Sequence, residues 1–155
     1  LLLLLTYNFL LSPNQAAVVV RHGDGTVQTR CVIFTEPSLS GLDLLQRSGL
    51  TVTIESSDLG QKVCLIDQEG CNYPQDDCFC QCTAGNTTCN YWTYWHWLNG
   101  QWLFAVGGAG SYQVKAGMVD GWNWGGGQAD LPATSFAEIC GVSPTPQPIY
   151  LPLIN

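Results

Sequence analysis

The sequence predicts an α+β domain that is mostly β, with one short helix and a disulfide-rich insert. Three observations carry this. β-Branched runs recur between Gly-bearing turns, one segment has clear helix-capping chemistry, and six of eight cysteines crowd into positions 64–89. At 155 residues, with 46% apolar and 11% charged side chains, the chain can bury one core and is too apolar for disorder.

Residues 17–21 and 26–34 are β-branched runs, and His22-Gly23-Asp24-Gly25 between them carries an Asp-Gly turn signal, so a hairpin is expected. The second run alternates polar and apolar residues, which predicts one buried and one wet face. Residues 40–49 read as the helix. Ser40 caps its N-terminus with Asp43 three residues on, Leu42, Leu44 and Leu45 form its buried face, and Gly49 stops it. Strands follow at 50–55 and 62–67. The excursion 68–90 is rich in Cys, Asp and Asn, and its own cross-links explain how so long a loop holds a shape. The aromatic run 91–98 meets 101–106 through Asn99-Gly100, a strong two-residue hairpin signal. Residues 107–111 form a Gly-rich loop, and 118–124 a last strand.

Cys31, Cys64, Cys71, Cys78, Cys80, Cys82, Cys89 and Cys140 are an even set in a loop-rich chain, which fits disulfides formed in an oxidising compartment. The rival is metal, for which Cys78-Phe79-Cys80-Gln81-Cys82 has the density but not the paired knuckles of a structural zinc site. Sequence does not resolve the pairing. Six cysteines are expected to staple the excursion to itself, which leaves Cys31 and Cys140 as partners by elimination.

Both ends are apolar. Leu1, Leu2, Leu3, Leu4 and Leu5 open a run that continues through Tyr7, Phe9, Leu10 and Leu11, too short for a membrane span, which needs about 20 residues. It reads either as the apolar core of a secretion signal or as a retained arm buried against a neighbour, a bilayer or its own domain; we take the second. At the other end a Pro-rich spacer leads to Tyr150, Leu151 and Leu153. The organisation expected is an arm or anchor at 1–15, a stapled domain at 16–140 with its insert at 68–90, and an extended tail at 141–155. Extended apolar segments of this kind can add to an exposed sheet edge.

Two hairpins flank the helix, followed by two further strands, an order that suggests a β-grasp-like sheet. Within it Tyr91-Trp92-x-Tyr94 leads to Asn99-Gly100, and Gly117-Met118-Val119-Asp120-Gly121-Trp122-Asn123-Trp124 follows. Together with Gly41-Leu42-Asp43-Leu44-Leu45 before Gly49, this resembles the transcobalamin-like C-terminal domain family of bacterial surface proteins, over residues 17–125. The resemblance implies a β-grasp-like sheet and, as one function, closure over a corrinoid. The helical barrel that completes such a site in that family has no counterpart in these residues.

Catalytic signals are weak. His22 sits by a turn and His96 in the aromatic strand, neither in a catalytic or metal motif. Asp67, Glu69, Asp76 and Asp77 lack EF-hand spacing and read as a solvated acidic loop. Gly107-Gly108-Ala109-Gly110 opens no helix, so it is no dinucleotide fingerprint. Five basic against twelve acidic residues, a net charge of −7, disfavour nucleic acid and anionic lipid. Asn86-Thr87-Thr88 is an N-glycosylation sequon.

No catalytic residue, cofactor or metal is expected. The leading reading is a non-enzymatic extracellular or cell-surface subunit, assembled through its apolar arms with copies of itself or other subunits, as in a filament or membrane-associated complex. Membrane contact through the N-terminal arm belongs to that reading. The alternative is a monomeric module binding a corrinoid-like ligand or glycan. On a strand Tyr91, Trp95 and Trp97 share one side, and if exposed they would form its platform.

Overall fold

A computed structural model describes residues 13–58, 60–82 and 89–141. The apolar arm through Leu11, the tail residues Tyr150, Leu151 and Leu153, and the sequon at Asn86 lie outside them. In chain order the elements are β1 (Asn14–Arg21), β2 (Val27–Phe34), β3 (Leu39–Ser40), α1 (Gly41–Gln46), β4 (Val52–Ser57), β5 (Gly60–Ile66), β6 (Glu69–Gly70), β7 (Tyr91–Leu98), β8 (Gln101–Phe104), β9 (Gln113–Val114), β10 (Val119–Gly125) and α2 (Phe136–Cys140). The protein is α+β and mostly β.

The main sheet has the order β2-β1-β10-β7-β8. β1 runs parallel to β10, with Ala17 opposite Val119 and Arg21 opposite Asn123, and every other neighbouring pair is antiparallel. β1 is buried on both faces from Ala16 to Val20 because alternate residues enter different cores. Ala16, Val18 and Val20 face a large core with Trp92, Tyr94, Trp122 and the leucines of α1; Ala17 and Val19 face a smaller one with Trp95, Val119 and Leu131.

Hairpin chemistry acts where expected. Asn99 and Gly100 both have positive φ, 52° and 79°, which matches the twist of β7 and β8. Ser40 accepts from the Asp43 N–H and caps α1. The helix is shorter than expected, ending at Gln46, where the Ser48 hydroxyl donates to the Leu45 carbonyl at 2.6 Å as the chain turns. Leu42, Leu44 and Leu45 are buried as expected. On β2 burial alternates only at Val32 and Phe34; its other core-side positions, Gln28 and Arg30, are polar and half-buried or exposed.

β4 and β5 do not join the main sheet. They pair with each other and β6 in a separate three-stranded sheet that packs with α1 over the large core. Every cysteine is bonded: Cys31–Cys140, Cys64–Cys78, Cys71–Cys80 and Cys82–Cys89. The insert is thus pinned to β5 through Cys64 as well as to itself. Four intramolecular disulfides fit an oxidising environment.

Candidate functional site

The aromatic strand β7 organises the functional surfaces. Its two sides are both covered, for different reasons. Trp92, Tyr94 and His96 point into the large core, where Tyr94 stacks on Trp122 with ring centroids 4.7 Å apart. On the other side the platform of Tyr91, Trp95 and Trp97 does not form. Trp95 is only 6% exposed, packed with Ala17, Val19, Val119 and Leu131, and Tyr91 and Trp97 are half-buried.

The cover comes from the chain after β10. The Trp102 indole donates to the Pro132 carbonyl at 2.9 Å, the Asn123 amide donates to the Gln128 carbonyl at 3.0 Å, and Cys140 ties α2 to β2. Gly121 makes the close approach feasible: a Cβ there would lie 2.5 Å from Leu131 and 2.6 Å from the Trp102 ring. Ser135 accepts from the Glu138 N–H at 3.2 Å and donates its hydroxyl to the Glu138 carboxylate at 3.0 Å, a side-chain N-cap for α2 whose Ser-x-x-Glu spacing stands in the sequence.

Each lone histidine has a carboxylate. His96 Nδ1 lies 3.0 Å from Asp120 Oδ1, Tyr94 donates its hydroxyl to Asp120 Oδ2, and the His96 ring stacks on Tyr112 at 3.6 Å. Asp120 is 1% exposed. Burial first, and the Asp120 charge second, push the Tyr94 and Tyr112 phenols above their ordinary range. The network braces β7 to β10 beneath α1. A buried carboxylate with two such donors is satisfied, and the bracing role accounts for it in full.

His22 Nδ1 lies 2.9 Å from Glu69 Oε2 in an open groove of about 570 Å3 lined also by Asp24, Gln28 and Asp67. Several of the groove's acceptors are already used. Glu69 also takes the Gly23 N–H at 2.9 Å, and Asp67 takes Gln28 at 2.9 Å and the Thr51 N–H at 3.1 Å. Of the other two acids read as a loop cluster, Asp77 accepts from the Phe79 N–H. Glu55 lies beside Cys64 and Cys78, but those sulfurs are bonded to each other and offer no thiolate.

Exposed apolar side chains also lie at the β8 edge of the main sheet. β8 pairs only with β7 among the described residues; on it Leu103 is 40% and Phe104 49% exposed, and just past it Val106 is 100% exposed. The Ala105 N–H donates to Tyr94, so by antiparallel alternation the N–H groups of Trp102 and Phe104 point away from β7. No described helix is long and apolar enough to cross a membrane. Compared with known proteins, the chain matches no family model and no curated protein.

Proposed function

We propose that this protein is a non-enzymatic extracellular interaction subunit that assembles by adding an apolar strand to the β8 edge. The observation that carries the reading is the conjunction of outward backbone donors on β8 with exposed Leu103 and Phe104 on it and Val106 just past it. An edge of this kind is a template for strand addition, in which main-chain hydrogen bonds give affinity and alternate side chains give specificity. The occupant we assign is the segment 1–11 of a second copy, nine of whose eleven residues are apolar or aromatic. Covering the three edge side chains is worth ~3 kcal/mol. The four disulfides support secretion into an oxidising space. The order β2-β1-β10-β7-β8, with its first and last strands parallel at the centre, supports a β-grasp-like sheet and the likeness to transcobalamin-like C-terminal domains.

Sedimentation velocity of the full chain tests this. Concentration-dependent assembly is expected, and Leu103→Asp or Val106→Asp should abolish it while melting cooperatively, since neither side chain belongs to either core cluster. A wild-type protein that stays monomeric, or edge variants that assemble as wild type, would overturn the reading.

A further inference from the structure

The other edge of the main sheet is open too, since β2 pairs only with β1 among the described residues. At the turn between them the His22 N–H donates to the Thr26 carbonyl at 2.9 Å. By antiparallel alternation Gln28, Arg30, Val32 and Phe34 then bond to β1, while Val27, Thr29, Cys31 and Ile33 turn their N–H and C=O groups outward. The Thr29 carbonyl shows that direction, because it takes the exposed Arg30 guanidinium at 2.9 Å. Val27 is 39% and Ile33 61% exposed on this strand. An unpaired edge of this kind invites foreign strands, and proteins blunt such edges with prolines or with a covering segment.

The sequence after α2 has the backbone pattern of such a cover. Pro144, Pro146 and Pro148 fall on alternate positions, with Ser143, Thr145 and Gln147 between them. Successive N–H groups of an extended chain point to opposite sides, so the even side lacks a donor at every proline and the odd side keeps all of its donors and acceptors. A residue before proline is disfavoured in the helical region, which biases Ser143, Thr145 and Gln147 toward extended backbone in advance. A strand built this way bonds on one side only, and so belongs at a sheet edge.

The described chain delivers that segment to β2. Asp130 meets Arg21, which is opposite Val27; Leu131 packs at Gly121, level with Thr29; and Cys140 is bonded to Cys31 with Cα atoms 5.0 Å apart. The approach thus climbs β2 from Val27 to Cys31, and Gly141, with φ 73°, can turn the chain back. Residues 143–147 are as long as residues 27–31. A segment tethered so close has an effective concentration of about millimolar, well above that of a second copy in dilute solution.

We infer that residues 143–147 close the β2 edge of their own chain as an added antiparallel strand along residues 27–31, bonding through Ser143, Thr145 and Gln147 and turning the prolines to solvent. The closed edge offers an incoming strand no donor at the prolines, which leaves sheet growth to β8. The inference concerns the opposite edge from the proposed strand addition and does not rest on it.

Amide exchange, read residue by residue from 1H–15N spectra of the full chain, tests this. It is measured in Leu103→Asp, so that association at β8 has no bearing on the result. The amides of Thr29 and Cys31 are expected to be protected although they face away from β1, while Ile33, beyond the cover, exchanges freely. Thr145→Pro/Pro146→Thr/Gln147→Pro/Pro148→Gln keeps the composition and shifts the prolines by one place. It should speed exchange at Thr29 and Cys31 by about tenfold or more. Thr145→Val/Gln147→Val keeps the odd donors and should leave the protection as it was. Gln28 and Arg30, bonded to β1, should exchange alike in every variant, which separates loss of the cover from loss of the fold. Free exchange at Thr29 and Cys31 in the parent, protection at Ile33 in place of Thr29, protection that survives the proline shift, or its loss in the valine variant would each overturn the inference. So would protection that grows with protein concentration, which would assign the strand to a second copy.

Discussion

At the scale of single residues, Asp120 shows how a polar side chain is kept in this core. It is 1% exposed, yet both carboxylate oxygens have a partner, Tyr94 on one and His96 on the other. Tyr94→Phe removes one donor and leaves a buried acceptor short, which should cost about 1–3 kcal/mol in urea unfolding. The same tyrosine ties stability to alkaline pH. Its phenol is held above the ordinary value of 10, by burial first and the Asp120 charge second. Below pH 10 folded and unfolded chains both keep the proton and this contribution is whole. Above it the unfolded chain releases the proton and the folded one does not, so stability falls with rising pH. Between pH 9 and 11 the wild type should therefore lose more stability than Tyr94→Phe does, and parallel losses would refute the assignment. None of this triad was legible beforehand. His96 and Asp120 stood in two strands that were each foreseen, but they meet only through the antiparallel register that sets them opposite each other. That register is fixed by long-range packing and not by either segment's composition.

At the scale of elements, local chemistry was legible where it is self-contained. The turn at Asn99-Gly100 is the clearest case, because two positive φ angles are needed and the residues that tolerate them are written side by side. A Cβ at Gly100 would meet nothing within 4 Å, so any penalty on Gly100→Val is one of backbone conformation alone. Thermal or urea melts should show a loss of about 1 kcal/mol or more, and an unchanged midpoint would mean that the turn relaxes into another type. The helix cap at Ser40 was legible for the same reason. The partnership of β4 with β5 and β6 in a sheet of their own was not, since a hairpin's sequence does not say which larger sheet it joins. The aromatic strand was ambiguous in a different way. Alternation says that β7 has two faces, and Trp95 could equally have been a platform; what buries it is Leu131 and α2, a segment of modest hydrophobicity from far along the chain.

At the scale of the whole molecule, the cover over that second face is held by one long covalent link. Cys31 of β2 and Cys140 of α2 are 109 residues apart, so their bond closes nearly the whole described chain into a loop, whereas Cys82 and Cys89 close only 7. Chain entropy makes the first cross-link the stronger one, worth about 5 kcal/mol against about 2 kcal/mol for the second. The packing beneath it is thin, since Leu131, Phe136 and Ile139 are the main apolar groups the cover adds to Ala17, Val19 and Trp95. In Cys31→Ala/Cys140→Ala the cover should open below the global transition. Hydrogen exchange should then quicken in α2 and its approach before it quickens in β1 and β10, and tryptophan emission should shift red as Trp95 meets water. Cys82→Ala/Cys89→Ala should leave the cover intact and shift the guanidinium midpoint less. Should the two double variants lose equal stability, or α2 stay protected without its disulfide, the cover would be held by side-chain packing instead, and loop length would not be what ranks these cross-links.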